Sequence, residues 1–315
     1  MTLSRRRFIS ITAASVLGAY PALGADNMGA RWQGVALGAH ADLRLVGLPA
    51  REAQRLLAEA RGEIERLERQ FSLYRDDSAL VRLNATGILE RPEPDMLELC
   101  SLVSTIHQVS AGKFDPSIQP LWSAYARAKG VPDRKVLATA CAAAGWNKVE
   151  ISQHSIRLQP GAALTFNGIA QGFITDRVVA LLKAQGLEAG LVCVGEIAAV
   201  GTSPRGMGWA IGLADREDGP AQATIHLRDR AVATSSPRGT MFGEGPAGHI
   251  LDPENGMAAP ANWQRVSVIH PSAAIADGLS TTGVLQSAAA LRDMVTRYPG
   301  AAVRAIDQDG YTLAV

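Results

Sequence analysis

The sequence predicts a mixed α+β fold with mostly antiparallel sheets and packed helices. Two patterns predict it. Apolar residues recur at helical spacing in the first half of the chain, and short apolar runs separated by Gly, Pro and Asp follow in the second half. Strands so closely spaced are typical of hairpins, which pair antiparallel. The 31 Gly and 16 Pro among 315 residues also require many turns, which favours sheets over a helical bundle.

The first elements in chain order are a strand and a long helix. Residues 35–45 are strand-like, with Gly38 at a position for a bulge. The helix begins near Arg51, and its apolar side chains recur every three or four residues while Glu and Arg occupy the opposite face. This stripe, which predicts packing on a core, consists of Leu57, Ala60, Ile64, Leu67 and Phe71.

The later elements follow from the same periodicities and from the glycines and prolines that separate them. We predict further helices at residues 95–109, 133–144 and 173–183. We predict a buried strand at residues 190–200 and shorter strands at 209–213, 223–227 and 266–269.

The N-terminus carries a twin-arginine pattern, Ser4 followed by Arg5, Arg6 and Arg7, and then an apolar run. This pattern predicts a Tat export signal over residues 1–25 and a periplasmic location. The alternative is an uncleaved membrane anchor, which needs about 20 apolar residues. Ser and Thr interrupt the apolar run, which favours the signal.

Composition excludes several classes of protein. The chain has 31 basic and 30 acidic residues, a net charge of +1. Removal of the signal would delete three arginines and no acids, leaving 28 against 30 and a net charge of −2. Neither balance indicates nucleic-acid binding. With 47% hydrophobic and 19% charged residues, the chain is globular rather than disordered. The three cysteines, Cys100, Cys141 and Cys193, are widely spaced, so we expect buried thiols and no disulfide framework.

The common catalytic motifs GxxxxGK, HExxH, CxxC and GxSxG do not occur in the sequence. Asp277 and Thr281 lie four residues apart in a helix-compatible stretch, so their oxygens would share one face and suit Mg²⁺. A capping or surface pair is the alternative. His249 is either a structural histidine or an acid–base group. The loop around Lys113 either holds a phosphate and a ring or is a plain turn.

Together these segments resemble the ApbE family of FAD:protein FMN transferases, with seven motifs in the family's order over nearly all of the chain after the signal. The motifs are FSLYRDDSALVRLN from Phe71, GKFDPSIQPLW from Gly112, FNGIAQGFITDR from Phe166, CVGEIAAVG from Cys193, ATSSP from Ala233, GHILDPENG from Gly248 and ADGLSTTG from Ala276. The NGIAQG segment resembles exported proteobacterial members, including the NosX-type branch associated with nitrous oxide reductase maturation. The resemblance implies an ApbE-like fold and one domain over residues 26–315.

The resemblance also implies site residues. The metal-binding positions of the family fall on Gly168, through its carbonyl, and on Asp277, Ser280 and Thr281. Flavin-nucleotide contacts fall on Leu37, Tyr74, Gly112, Lys113, Phe114 and Leu251. His249 is the candidate for a catalytic proton carrier or a phosphate-positioning group. Two positions depart from the family: Thr165 replaces a usual Asp, and Gln171 replaces a usual Lys or Glu, which removes an acceptor and a charge from the cofactor-binding set.

The activity implied by the resemblance is Mg²⁺-dependent. FAD is the substrate, FMN is attached by a phosphoester bond to a Thr or Ser of a target protein, and AMP is released. The target would be the periplasmic domain of a flavoprotein, such as a respiratory or nitrous oxide reductase-associated membrane protein. Two alternatives stay open: a flavin-binding accessory protein without transferase activity, suggested by Thr165 and Gln171, and an FAD pyrophosphatase that uses water as the nucleophile.

Overall fold

A computed structural model describes residues 15–17, 29–214, 220–245, 247–260 and 262–315. Most of the predicted export signal therefore lies outside the described residues. The α-helices are α1 (Ala50–Phe71), α2 (Ala79–Thr86), α3 (Pro94–Val109), α4 (Gln119–Arg127), α5 (Arg134–Ala143), α6 (Ala170–Ala184), α7 (Ala273–Gly283) and α8 (Ala288–Thr296). Short 3-10 turns lie at Pro116–Ile118 and Trp146–Lys148. No helix in the described ranges is both long and apolar enough to cross a membrane.

The described strands are β1 (Ser15–Leu17), β2 (Gly29–Ala36), β3 (Ala39–Val46), β4 (Ile88–Glu90), β5 (Glu150–Ile151), β6 (Ser155–Arg157), β7 (Ala189–Val194), β8 (Glu196–Val200), β9 (Trp209–Leu213), β10 (Ala223–Leu227), β11 (Ala231–Ser235), β12 (Trp263–His270), β13 (Ala302–Asp307) and β14 (Thr312–Ala314). Eight of them form a central sheet in the order β14-β13-β12-β11-β8-β7-β3-β2. Two smaller sheets have the orders β1-β9-β10 and β4-β6-β5. Every pairing among these strands is antiparallel, so the predicted α+β class with antiparallel sheets is confirmed.

The central sheet separates two hydrophobic clusters. On one face α1, α6 and α7 cover the sheet, and the principal core forms between them. On the other face, side chains of β7 and β8 such as Leu191 and Ile197 pack against Trp209 and Ile211 of the small sheet that contains β9. Alternate residues of one strand thus enter different cores, as the period of two along a strand requires.

The long helix α1 matches its predicted stripe. Leu57, Ala60, Ile64, Leu67 and Phe71 are all buried, and Phe71 makes edge-to-face contacts with the rings of Phe166 and Phe173. These contacts fix α1 against α6 and against the segment that precedes it, which carries part of the candidate site.

Two predicted strands are wrong, because each is a hairpin. Residues 35–45 form parts of β2 and β3, which turn at Leu37 and Gly38, both with positive φ. Residues 190–200 form β7 and β8, which turn at Gly195 with φ +87°. A continuous apolar run does not reveal a two-residue turn, since both arms of the hairpin are buried. The second turn places Glu196 at the start of β8.

Cys100 and Cys193 are buried free thiols, and burial raises the pKa of each to about 12. Cys141 is free and partly exposed, and burial of its sulfur also raises its pKa. Thiols with raised pKa values are poor nucleophiles, so these cysteines act as packing residues.

Candidate functional site

One cleft gathers polar residues from six separate segments of the chain. It has a volume of about 890 Å³, open solvent included, within the range of small-molecule sites. Eight predicted site residues line it: Lys113, Phe114, Thr165, Gly168, His249, Leu251, Asp277 and Thr281. The other five predicted residues, Leu37, Tyr74, Gly112, Gln171 and Ser280, are not among the residues lining this cleft.

Asp277 lies in the first half of α7 and faces α6. Its side chain is 3% exposed, and its Oδ2 accepts a hydrogen bond of 3.1 Å from the backbone N–H of Gly172. Burial raises the pKa of Asp277 to about 8, and the hydrogen bond from Gly172 offsets only part of this effect. No salt bridge to Asp277 occurs in the described ranges, so its charge has no cationic partner there.

Thr281 lies one helical turn after Asp277, so the predicted shared face of the helix is present. Ser235 at the end of β11 places its hydroxyl 3.4 Å from the Thr281 hydroxyl and 2.8 Å from that of Ser280. Ser280 is fully buried and donates to the carbonyl of Asp277. The hydroxyl of Ser280 thus supports Ser235 from inside the fold, and Ser235 and Thr281 line the cleft.

Gly168 lies directly opposite Thr281. A Cβ at this position would come within 3.1 Å of both the Thr281 hydroxyl oxygen and its methyl group, and within 3.4 Å of the Phe114 ring. The absence of a side chain lets the backbone before α6 approach α7 closely. The glycine therefore brings the backbone of this segment against the Thr281 side chain.

Glu196 is a site residue that was not predicted individually. It begins β8, is only 6% exposed and lines the cleft. Burial, and secondarily the charge of Asp277, raise its pKa well above the ordinary value, against the effect of the Thr234 backbone N–H. The sequence does contain a signal for it, because an acid inside the apolar run from Leu191 to Val200 is buried if that run is a strand.

These groups fit a divalent hard cation. Carboxylates, hydroxyls and a main-chain carbonyl are all oxygen donors, and Mg²⁺ is commonly held by one or two carboxylates with substrate phosphates and water. In the part of the chain that the structure describes, no group of three or more His, Cys, Asp or Glu side chains is arranged to hold a metal. The oxygen donors of the cleft are of the kind that suits a hard cation such as Mg²⁺.

His249 has a defined tautomer. Its Nδ1 lies 3.1 Å from the carbonyl oxygen of Thr240. A carbonyl oxygen can only accept, so Nδ1 carries the proton and Nε2 keeps its lone pair. Burial lowers the pKa of His249 to about 4, and the hydrogen bond to Thr240 opposes this only in part. At neutral pH the ring is uncharged and can accept a proton at Nε2.

Lys113 connects two loops that line the cleft. Its ammonium donates to both carboxylate oxygens of Asp252, at 2.9 and 2.8 Å, and to Glu254 at 2.7 Å. Burial disfavours the charged form, but these hydrogen bonds outweigh it and raise the pKa of Lys113. Lys113 is therefore a fixed cation that ties its own loop to the segment after His249, and the plain-turn alternative does not describe it.

Phe114 is held in place by its backbone. Its N–H donates to the Ser110 hydroxyl at 3.0 Å, and its carbonyl lies 2.7 Å from Nδ1 of His107. Gly112, with φ +83°, makes the turn that these bonds close, so its role is to shape the loop rather than to line the cleft. The ring of Phe114 forms an apolar wall of the cleft.

The remaining predicted residues lie around or behind the cleft. The Thr165 side chain lines it, and Tyr74 hydrogen bonds to the lining residue Asn167. Leu37 is buried at the β2–β3 turn, where its N–H donates to Glu68. Gln171 is 4% exposed, and its amide packs against Gly195, where an added Cβ would come within 2.6 Å of it.

Comparisons with known proteins agree with this architecture. Residues 28–305 match the ApbE family. The chain is 29% identical over 286 residues to an FAD:protein FMN transferase of Treponema pallidum (strain Nichols), covering 80% of this chain and 77% of the relative. It is 26% identical over 318 residues to the same-named protein of Klebsiella pneumoniae (strain 342), covering 95% and 87%. The crystal structure of Pseudomonas stutzeri flavinyl transferase ApbE, apo form, superposes with a TM-score of 0.78 at 28% identity, covering 92% of this chain and 96% of that one.

Proposed function

The chain belongs to the ApbE family, and we propose that it is a Mg²⁺-dependent FAD:protein FMN transferase that acts on a periplasmic acceptor protein. In this reaction the hydroxyl of an acceptor Thr or Ser attacks the phosphorus of the FMN half of FAD. A new O–P bond forms, the bond from that phosphorus to the bridging oxygen breaks, and AMP leaves. The observation that carries the proposal is the cleft, which joins buried oxygen donors to an uncharged histidine and a fixed lysine.

The binding of FAD follows from the lining of the cleft. Phe114 and Leu251 offer apolar surface to a flavin or adenine ring, and Thr165 offers a hydroxyl. Asp252 and Glu254 compensate the charge of Lys113, and these ion pairs keep the loop of Phe114 in position. Gln171 packs behind the cleft and is not among its lining residues. The replacement of a charged residue by Gln171 therefore removes no charge from the lining.

Asp277, Thr281 and the carbonyl of Gly168 would hold Mg²⁺. When bound there, Mg²⁺ neutralises charge that develops on the phosphoryl oxygens. The protein's own contribution is the rigid placement of these donors, since α7 is packed against α6 and β11.

His249 is the proton acceptor of the proposed reaction. The acceptor hydroxyl loses its proton as the new O–P bond forms, and Nε2 of His249 takes it. The bond from Nδ1 to Thr240 keeps the ring in the tautomer that this transfer needs. The low pKa of His249 means that it is ready as an acceptor over the whole neutral range but is a weak base.

The test is transfer of FMN by purified protein. Wild type and Asp277→Ala are incubated with FAD, Mg²⁺ and a candidate acceptor domain, and the acceptor is weighed by mass spectrometry while AMP is quantified. We expect an FMN adduct and one AMP per adduct for the wild type, and no metal-dependent transfer for Asp277→Ala. Full activity of Asp277→Ala would overturn the metal assignment.

The same assay separates the two alternatives. FAD binding with neither adduct nor AMP, against the correct partner, would show an accessory protein. AMP and free FMN without adduct would show an FAD pyrophosphatase. The acceptor we propose is a membrane-bound respiratory or nitrous oxide reductase-associated flavoprotein that presents a Thr or Ser on a periplasmic loop, and the twin-arginine sequence of residues 4–7 supports this location.

A further inference from the structure

Four acidic side chains are buried among the described residues: Asp42, Glu196, Asp252 and Asp277. Two of them have cationic partners. Asp42 pairs with Arg31 and Arg44, and Asp252 pairs with Lys113. Glu196 and Asp277 form no described salt bridge, and both line the cleft. The charge of Asp277 acts on Glu196, and the charge of Asp176 acts on Asp277. Buried carboxylates are costly without a compensating charge, so this pair is the exception in the fold.

Among the described residues, the surroundings of Glu196 offer its carboxylate no cationic partner. The side chain packed against Gly195, immediately before it, is the neutral amide of Gln171. The Thr175 hydroxyl donates to the backbone carbonyl of Glu196 and not to its carboxylate. The Glu196 carboxylate interacts with one backbone N–H, that of Thr234, and faces the cleft.

An anionic phosphate is not the group that this arrangement favours, because two neighbouring carboxylates repel it. A divalent cation does fit, since two carboxylates balance its charge and the hydroxyls of Ser235 and Thr281 line the same cleft. We propose that Glu196 is a further carboxylate ligand of the divalent-cation site of Asp277, Thr281 and Gly168, and that this site binds its cation before FAD arrives. This inference rests on the cation site of the proposed function.

The order of binding follows from the number of charges. A site with one carboxylate compensates half the charge of a divalent cation and depends on the phosphates of the substrate for the rest. A site with two carboxylates is neutral once the cation is bound, so it holds the cation without substrate and presents no net negative charge to FAD.

The test measures binding of Mn²⁺, a probe for Mg²⁺, to the purified chain without FAD, by electron paramagnetic resonance and calorimetry. We expect Glu196→Gln to weaken binding at least tenfold, Glu196→Asp to weaken it less because a carboxylate remains, and Asp277→Asn to abolish it. Glu188→Gln, which removes an exposed carboxylate just before β7, should bind as the wild type does.

A second readout guards against a folding defect. Without added metal, the thermal midpoint of Glu196→Gln should equal or exceed that of the wild type, because a buried carboxyl group that is costly to ionise is replaced by a neutral amide. Added Mn²⁺ should then raise the midpoint of Glu196→Gln less than that of the wild type. Wild-type Mn²⁺ affinity in Glu196→Gln would overturn the inference. If Glu196→Gln bound Mn²⁺ as the wild type does while Asp277→Asn lost both Mn²⁺ binding and FMN transfer, the role of Glu196 would be refuted and the proposed function would stand.

Discussion

At the scale of single residues, the chemistry of the site depends on groups whose protonation is set by burial. His249 is uncharged because burial disfavours its imidazolium form, and its tautomer is set by one carbonyl oxygen. Lys113 stays charged because two carboxylates outweigh the effect of burial. The cleft thus contains an uncharged proton acceptor, His249, and a charged side chain, Lys113, and burial and neighbouring carboxylates set these two states.

Substitution of His249 by Gln tests its role as proton acceptor. The side chain keeps polar atoms of similar reach but cannot take the proton, so FMN transfer should fall by about 10²–10⁴-fold. FAD affinity should change by less than about threefold, since nothing in the proposal makes the imidazole a binding group. Single-turnover AMP release and equilibrium FAD titration measure the two quantities. An unchanged rate would assign the proton to water or to another group.

The same histidine predicts a pH dependence of stability. The unfolded imidazole has a pKa near 6.5 and the folded one about 4, so the unfolded state binds more protons between these values. The contribution of His249 is fully present above about pH 6.5 and is lost as pH falls towards 4, by at most about 3 kcal/mol. Urea unfolding of the wild type and of His249→Gln at pH 7 and pH 5 should show a smaller loss on acidification in the variant. Equal losses would contradict the assignment.

At the scale of elements, the site is assembled by the contact between α6 and α7. Gly172 of α6 lies so close to α7 that a Cβ would come within 2.4 Å of the Ala273 carbonyl oxygen. Asp176 of α6 accepts hydrogen bonds from the Ala273 and Ala274 N–H groups and from the Ser272 hydroxyl, at 2.7, 3.0 and 2.6 Å. These bonds satisfy N–H groups that a helix leaves free at its N-terminus. They hold the helix that carries Asp277 and Thr281.

Substitution of Asp176 by Asn should therefore weaken the start of α7. An amide has one acceptor oxygen and no charge, so we expect a loss of about 1–3 kcal/mol in the free energy of unfolding. Mn²⁺ affinity should fall with it, because Asp277 lies one turn into the helix. The control is Asp293→Asn on α8, whose exposed pair with Arg297 should contribute less than about 0.5 kcal/mol. Equal effects of the two substitutions would show that the cap does not position α7.

The elements that could be predicted from sequence are those with a clear apolar stripe. Helix α1 was predicted almost to its ends, since its stripe runs without interruption from Leu57 to the last residue, Phe71. The hairpins β2–β3 and β7–β8 were each predicted as one strand. Their turns rest on positive φ at Leu37 and at Gly195. A leucine gives no turn signal, and a single glycine in an apolar run is equally compatible with a bulge in one strand. The second of these errors hid Glu196, because the turn places it at the edge of the cleft.

At the scale of the whole molecule, the site exists because the antiparallel sheet and its helices bring distant segments together. Lys113 and Asp252 are separated by 139 residues and form an ion pair. The ordered motifs of the family predicted that His249, Lys113 and Asp277 share a site, and the cleft contains all three. The place of Gln171 could not be predicted in this way, because its burial against Gly195 depends on the hairpin and not on the motif.

The paired arginines near the N-terminus predict where the whole protein is located. A twin-arginine signal is recognised through its paired arginines, and lysine preserves their charge but not their planar guanidinium groups. The double substitution Arg5→Lys and Arg6→Lys should therefore retain the protein in the cytoplasm, whereas Arg7→Lys should leave export intact. Fractionation of cells that produce each variant, followed by immunoblotting, measures the exported share. FMN on a periplasmic acceptor should disappear with export in the double variant, while the variant purified from the cytoplasm should still transfer FMN to that acceptor in vitro. Normal export of the double variant would overturn the assignment of the paired arginines as the export signal.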